Sequence, residues 1–74
     1  MDDDLTRFPT YPAMTGAELR AVREQANMTQ AELGGLFLLS RGYISQLERG
    51  DRKASGATLT IYHLLRRKGV ELFL

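Results

Sequence analysis

Seventy-four residues make one domain at most, near the lower limit for a core that folds without covalent or metal staples. The chain has no cysteine and one histidine, His63, which excludes disulfides and thiolate metal sites and leaves no ligand set for zinc. The formal net charge is only +1, but between Ser40 and Lys68 seven basic residues face two acidic ones, a local excess that Asp2, Asp3 and Asp4 mask in the total.

Other classes fall away quickly. No glycine-rich phosphate loop is present. A helix-rich domain this small has little volume for an enclosed substrate pocket, so neither an enzyme nor a cofactor is expected. No apolar run approaches the roughly 20 residues of a membrane helix. Met1 to Asp4 lack the basic-then-apolar order of a secretory signal. The expectation is a cytoplasmic protein with no membrane contact.

Residues 1–14 read as a flexible arm, because Phe8-Pro9 and Tyr11-Pro12 each bias the residue before proline away from helix. The helical domain is placed at 15–74. Thr15 and Glu18 have capping-box spacing and open a first helix, with Leu19, Val22, Arg23 and Ala26 on one face, ending at Asn27-Met28. Thr29 and Glu32 repeat the signal for a second helix facing inward through Leu33, Leu36 and Phe37. Ser40 caps a third helix that reaches Arg49, with Gly50 as its left-handed stop. Asp51 to Ala54 form a basic loop, Ser55 caps a fourth helix to about Lys68, and Gly69 ends it. Ala57, Ile61, Leu64 and Leu65 are read as the core stripe of that helix. Arg66, Arg67 and Lys68 complement its dipole, and His63 is read as an ordinary surface residue. Val70 to Leu74 is a short apolar tail. The fold class is all-α, with four helices.

Two charged residues sit on apolar faces. Glu48 lies one turn from Ile44 in the third helix, and Arg23 one turn from Leu19 in the first. Either they pair with each other and tie the two helices together, or both lie at the core edge and reach water along their stems. Pairing is the expectation, because bidentate arginine–carboxylate geometry suits a partly buried site.

The stretch from Leu19 to Glu48 resembles the lambda-repressor-like, Cro-type helix-turn-helix regulators. The residues that carry the likeness are Leu19, Arg20, Arg23 and Glu24, then Met28-Thr29-Gln30-Ala31-Glu32-Leu33, Ser40-Arg41, and Ile44-Ser45-Gln46-Leu47-Glu48-Arg49-Gly50. The resemblance implies an Arg23–Glu48 ion pair and double-stranded DNA as partner. Two positions depart from the family pattern. Leu38 stands where a small residue, commonly glycine, makes the turn; leucine would be strained at positive φ, so a differently built turn is expected. Gly34 replaces an alanine in the second helix and is followed by Gly35, a weakening of roughly 1 kcal/mol each.

On the third helix, Ile44 and Leu47 define the buried side. The opposite side carries Gly42, Ser45, Gln46 and Arg49, flanked by Arg41 and Tyr43. Taken alone such a face is more often merely solvated; with the family string it reads as a recognition surface. Arg41, Gly42, Ser45 and Gln46 are the base-contact candidates, arginine suiting guanine and glutamine suiting adenine. Gln30, at a helix start with free N–H groups, joins Tyr43, Arg49, Arg52 and Lys53 as backbone-contact candidates. The expected function is a transcriptional repressor, its own operon being one candidate target, acting as a homodimer on a palindromic operator. Leu59 and Tyr62, off the fourth helix's stripe, and Leu72, Phe73 and Leu74 are the expected dimer surface, unless the tail folds back on its own core. An antitoxin, or an adaptor that uses the scaffold to bind a protein partner of unknown identity, is the alternative.

Overall fold

The computed structural model describes residues 11–69 and Glu71. Four helices follow in chain order, α1 (Gly16–Gln25), α2 (Gln30–Phe37), α3 (Arg41–Arg49) and α4 (Gly56–Lys68), with no strand among the described residues. Among the described residues no helix is long and apolar enough to cross a membrane.

The helix starts follow from local chemistry. Thr15 and Glu18 form a complete capping box: Glu18 N donates to Thr15 Oγ1 at 3.1 Å, and Thr15 N donates to Glu18 Oε1 at 2.7 Å. Thr29 and Glu32 repeat it at 2.8 and 3.1 Å. Each box satisfies two N–H groups that a helix start otherwise leaves unpaired. Ser40 accepts from Tyr43 N at 3.0 Å, so α3 starts where its sequence places it. Ser55 is different. It occupies the N-cap position of α4 but makes no side-chain cap bond, and Gly56 after it has φ +54°.

α3 packs against both α1 and α2, and α4 packs against α1. Leu19, Leu33, Ile44, Leu47 and Tyr62 are fully buried at the centre. Val22, Leu65, Ala54 and Met14 complete the core, with Phe37, Leu39, Tyr43 and Leu59 half-buried against it.

Three expectations are corrected. First, α4 presents a different face. Tyr62 is fully buried and Leu59 packs against the core, whereas Ala57 is exposed and Ile61 and Leu64 are half-buried. Apolar residues at 57, 59, 61, 62, 64 and 65 cover more than half the helix circumference at 100° per residue. Two stripes were therefore available. The tyrosine ring decides between them by filling the core edge-on to Phe37, with centroids 5.3 Å apart. Its hydroxyl is buried without a hydrogen-bond partner among the described residues, and burial pushes its pKa up to about 12. Tyr62 and Leu59 therefore belong to the monomer's own core. Leu72, Phe73 and Leu74 lie outside the described residues.

Second, His63 is buried, at 7% exposure. Its Nε2 donates to the Pro12 carbonyl at 2.8 Å, so in the neutral ring Nδ1 accepts from Arg66 Nη2 at 3.1 Å. The Tyr11 ring stacks on the imidazole with centroids 4.8 Å apart. With Met14 in the core as well, residues 11–14 are fastened to the helical domain; residues 1–10 of the expected arm lie outside the described residues.

Third, the turn between α2 and α3 is not built around Leu38 in some other way. Leu38 itself takes the left-handed conformation, φ 59° and ψ 38°, with its side chain 91% exposed. That conformation is unfavourable for an L-residue with a Cβ by about 1–2 kcal/mol. Truncating an exposed side chain removes no packing, and glycine's extra freedom in the unfolded chain offsets part of the relief. Leu38→Gly is expected to raise stability by about 0.5–1 kcal/mol, read as a higher denaturation midpoint at unchanged slope. A lower midpoint would show that the leucine side chain has a partner in the folded domain.

Candidate nucleic-acid interface

The angle at which α3 stands is set by backbone close to backbone. Leu39 N donates to the Gly34 carbonyl at 2.7 Å, and a Cβ added at Gly34 would lie 2.6 Å from the Leu39 carbonyl oxygen. Gly34 is thus the residue that lets the chain leave α2 and enter α3 so tightly. At the other end, Gly16 of α1 packs on the carbonyl of Glu48, where any Cβ would overlap it. Gly35 has open space around it and exacts no such requirement.

Arg23 and Glu48 lock the same geometry through side chains. Arg23 Nε donates to Glu48 Oε2 at 2.6 Å and Nη2 to Oε1 at 3.0 Å, a bidentate pair with side chains 12% and 5% exposed. Arg23 Nη1 also donates to the Met28 carbonyl at 2.8 Å, so the pair ties α1, the α1–α2 turn and α3 together. Burial alone would raise the Glu48 carboxyl's pKa. Hydrogen bonds from Arg23 and Gln30 outweigh it and hold the group below the usual carboxylate range. The bond to Glu48 in turn raises Arg23 against the opposing effect of its own burial.

With Ile44 and Leu47 buried, α3 turns Arg41, Gly42 and Arg49 to the outside, and Ser45 and Gln46 are half-buried beside them. The αL residue Gly50, φ 84°, closes the helix, and Asp51 N returns to the Gln46 carbonyl at 2.9 Å. This return brings Arg52 back alongside α3. Its Nε donates to Gln46 Oε1 at 2.9 Å, and its guanidinium lies 5.8 Å from the centre of the Tyr43 ring. Arg49 bridges to Asp51 Oδ2 at 3.0 Å and donates through Nη1 to Ser45 Oγ at 3.2 Å. Arg41 and Lys53 are exposed and form no ion pair among the described residues.

Gln30 sits at the first position of α2, and its Nε2 donates to Glu48 Oε1 at 3.1 Å. Its side chain is thereby tied to the Arg23–Glu48 pair, with one amide proton left over. The sequence-named residues on α3 and the following loop are therefore close to one another, with Gln30 linked to them through Glu48. Asp51, which the sequence reading passed over, holds Arg49; its place two residues beyond an arginine is the only signal for it. Gly16 was also passed over, since a glycine after a capping threonine reads as an ordinary helix start.

Among the described residues no group of histidine, aspartate and glutamate could hold a metal ion. What the chain offers is one polar, donor-rich helix face held rigidly from behind. A family model described as helix-turn-helix matches residues 19–62, well over half the chain. The chain belongs to the lambda-repressor-like helix-turn-helix family. No curated relative and no solved structure matches it significantly. As a member of this family it is a DNA-binding regulator, and α2 and α3 are the two helices that give the family its name.

Proposed function

We propose that this helix-turn-helix protein is a sequence-specific transcriptional repressor that reads its operator through the major groove with α3. The observation that carries the reading is the outward face of Arg41, Gly42, Ser45 and Gln46, backed by Ile44, Leu47 and the Arg23–Glu48 pair. A face free of apolar anchors and rich in hydrogen-bonding groups suits base edges. Gln30, Tyr43, Arg49, Arg52 and Lys53 are the proposed phosphate contacts. They supply position and salt-dependent affinity, and α3 supplies the sequence choice.

Nine residues of α3 span only about 13 Å at 1.5 Å per residue. That covers one half-site, so the proposed functional unit is two copies on a two-fold-symmetric operator, with half-sites about one DNA turn apart. The surface that joins the copies is not the Leu59 and Tyr62 face, which is occupied by the core.

Enrichment of duplexes from a random pool tests the proposal. The expected product is an inverted repeat with half-sites separated by about 10 base pairs centre to centre. An enriched single half-site would overturn the two-copy arrangement, and a pool with no enriched sequence would overturn specific DNA reading itself.

A further inference from the structure

Glutamine is a two-sided reader, with an acceptor oxygen and a donor nitrogen, and both are needed to grip adenine at N6 and N7. In this chain one side is already taken. Arg52 Nε lies 2.9 Å from the Gln46 side chain, and arginine has only donors. The amide must therefore turn its oxygen toward Arg52, whatever its partners elsewhere. Arg52 is itself held on two further sides: its backbone N reaches the Gln46 carbonyl at 3.4 Å, and its guanidinium stacks toward Tyr43 at 5.8 Å.

The neighbours of Gln46 have the same polarity. Ser45 Oγ accepts from Arg49 Nη1 at 3.2 Å, which leaves its proton to donate. Arg41 can only donate. Asp51, the nearest carboxylate beyond the helix end, is engaged by Arg49. The face that α3 presents is therefore rich in donors.

We propose that Arg52 is a positioning residue that fixes Gln46 as a hydrogen-bond donor, so that Gln46 reads guanine at O6 and N7 in preference to adenine. In the major groove guanine offers two acceptors, O6 and N7, whereas adenine sets an N6 donor beside its N7 acceptor and needs the glutamine oxygen that Arg52 draws to itself. This replaces the glutamine–adenine pairing expected from the sequence, and it rests on the proposal that α3 reads base edges.

The test uses the full chain and a random duplex pool, with wild type, Gln46→Ala, Arg52→Ala and Arg52→Lys. The base pair whose preference vanishes in Gln46→Ala is the one Gln46 reads. Wild type should prefer a G·C pair there. Arg52→Ala should release the oxygen and shift that single position toward adenine by about fivefold, roughly the worth of one hydrogen bond, while other positions keep their preferences. Arg52→Lys retains the charge and separates this effect from a phosphate contact, because loss of phosphate attraction weakens all sequences alike.

An A·T pair at the Gln46 position in wild type would overturn the inference. So would Arg52→Ala that lowers affinity uniformly with the preference intact, or Gln46→Ala that alters no position. These outcomes leave an enriched sequence, and with it the repressor reading, in place. A pool with no enriched sequence in wild type would overturn both.

Discussion

Gly16→Ala is expected to destabilise the domain by about 3 kcal/mol, the upper end of what overpacking usually does. The reason is the neighbour that a new methyl group would meet. Its position overlaps the Glu48 carbonyl oxygen and lies 2.8 Å from the carbonyl carbon and 3.0 Å from the Leu47 oxygen. These are backbone atoms in a helix, and no rotamer change moves them aside, so α1 must withdraw from α3. A withdrawal would also stretch the Arg23–Glu48 bonds and loosen the core around Leu19 and Leu47. Gly35→Ala provides the opposite sign. Gly35 is in mid-α2 with nothing within 4 Å of an added Cβ, and alanine should gain about 1 kcal/mol from helix propensity. Chemical denaturation of the two variants checks both. A Gly16→Ala protein as stable as wild type would mean that α1 and α3 do not cross so closely.

Removing one partner of the Arg23–Glu48 pair is expected to cost about 3–5 kcal/mol, as for other buried pairs whose survivor is left uncompensated. A domain of this length has a total stability of only about 4–11 kcal/mol, so Glu48→Ala or Arg23→Ala takes a large share. Glu48→Ala leaves a nearly buried guanidinium with only the Met28 carbonyl. Arg23→Ala leaves a carboxylate with only Gln30. Making both replacements together, Arg23→Ala with Glu48→Ala, should be much less harmful than the two single losses added together. Acid should have a related effect. The Glu48 carboxyl is held below its ordinary range in the folded state, so its contribution is complete above the unfolded pKa of about 4.3. It is lost as pH falls from there through the folded value. Denaturation midpoints for the four proteins, at neutral pH and across the acid range, check this. Strictly additive losses would contradict a direct pair.

The helices were legible because their ends are written in local chemistry. Thr15 with Glu18, Thr29 with Glu32, Ser40 and Gly50 act through neighbours three or four residues away, and the capping bonds lie there. The outward face of α3 was legible for a similar reason, since Ile44 and Leu47 alone define its inner side. What failed depends on tertiary packing. The apolar residues of α4 permit two inward faces, and only the space beside Phe37 selects Tyr62. His63 looked like a surface residue because its partners, Pro12 and Tyr11, lie about fifty positions earlier in a segment read as an arm. The role of Gly16 depends on a carbonyl 32 residues away. Strain at positive φ argues for another turn at Leu38, yet Leu38 takes that conformation beside the close approach of Gly34 to the Leu39 carbonyl, a contact that local sequence does not show. The polarity of Gln46 could not be read from the sequence at all, because it depends on how the chain returns after Gly50.

Whether α3 is the reading helix is tested most directly by a ratio of affinities. Fluorescence anisotropy at fixed salt would compare the enriched duplex with a scrambled one for wild type, Arg41→Ala and Lys53→Ala. Reading through α3 predicts that Arg41→Ala reduces the specific-to-scrambled ratio by at least about fivefold, a loss of 1 kcal/mol or more for a base contact. Lys53→Ala should weaken both duplexes alike, leave the ratio unchanged and make the salt dependence shallower. A ratio untouched by Arg41→Ala, or one reduced only by Lys53→Ala, would contradict recognition through α3.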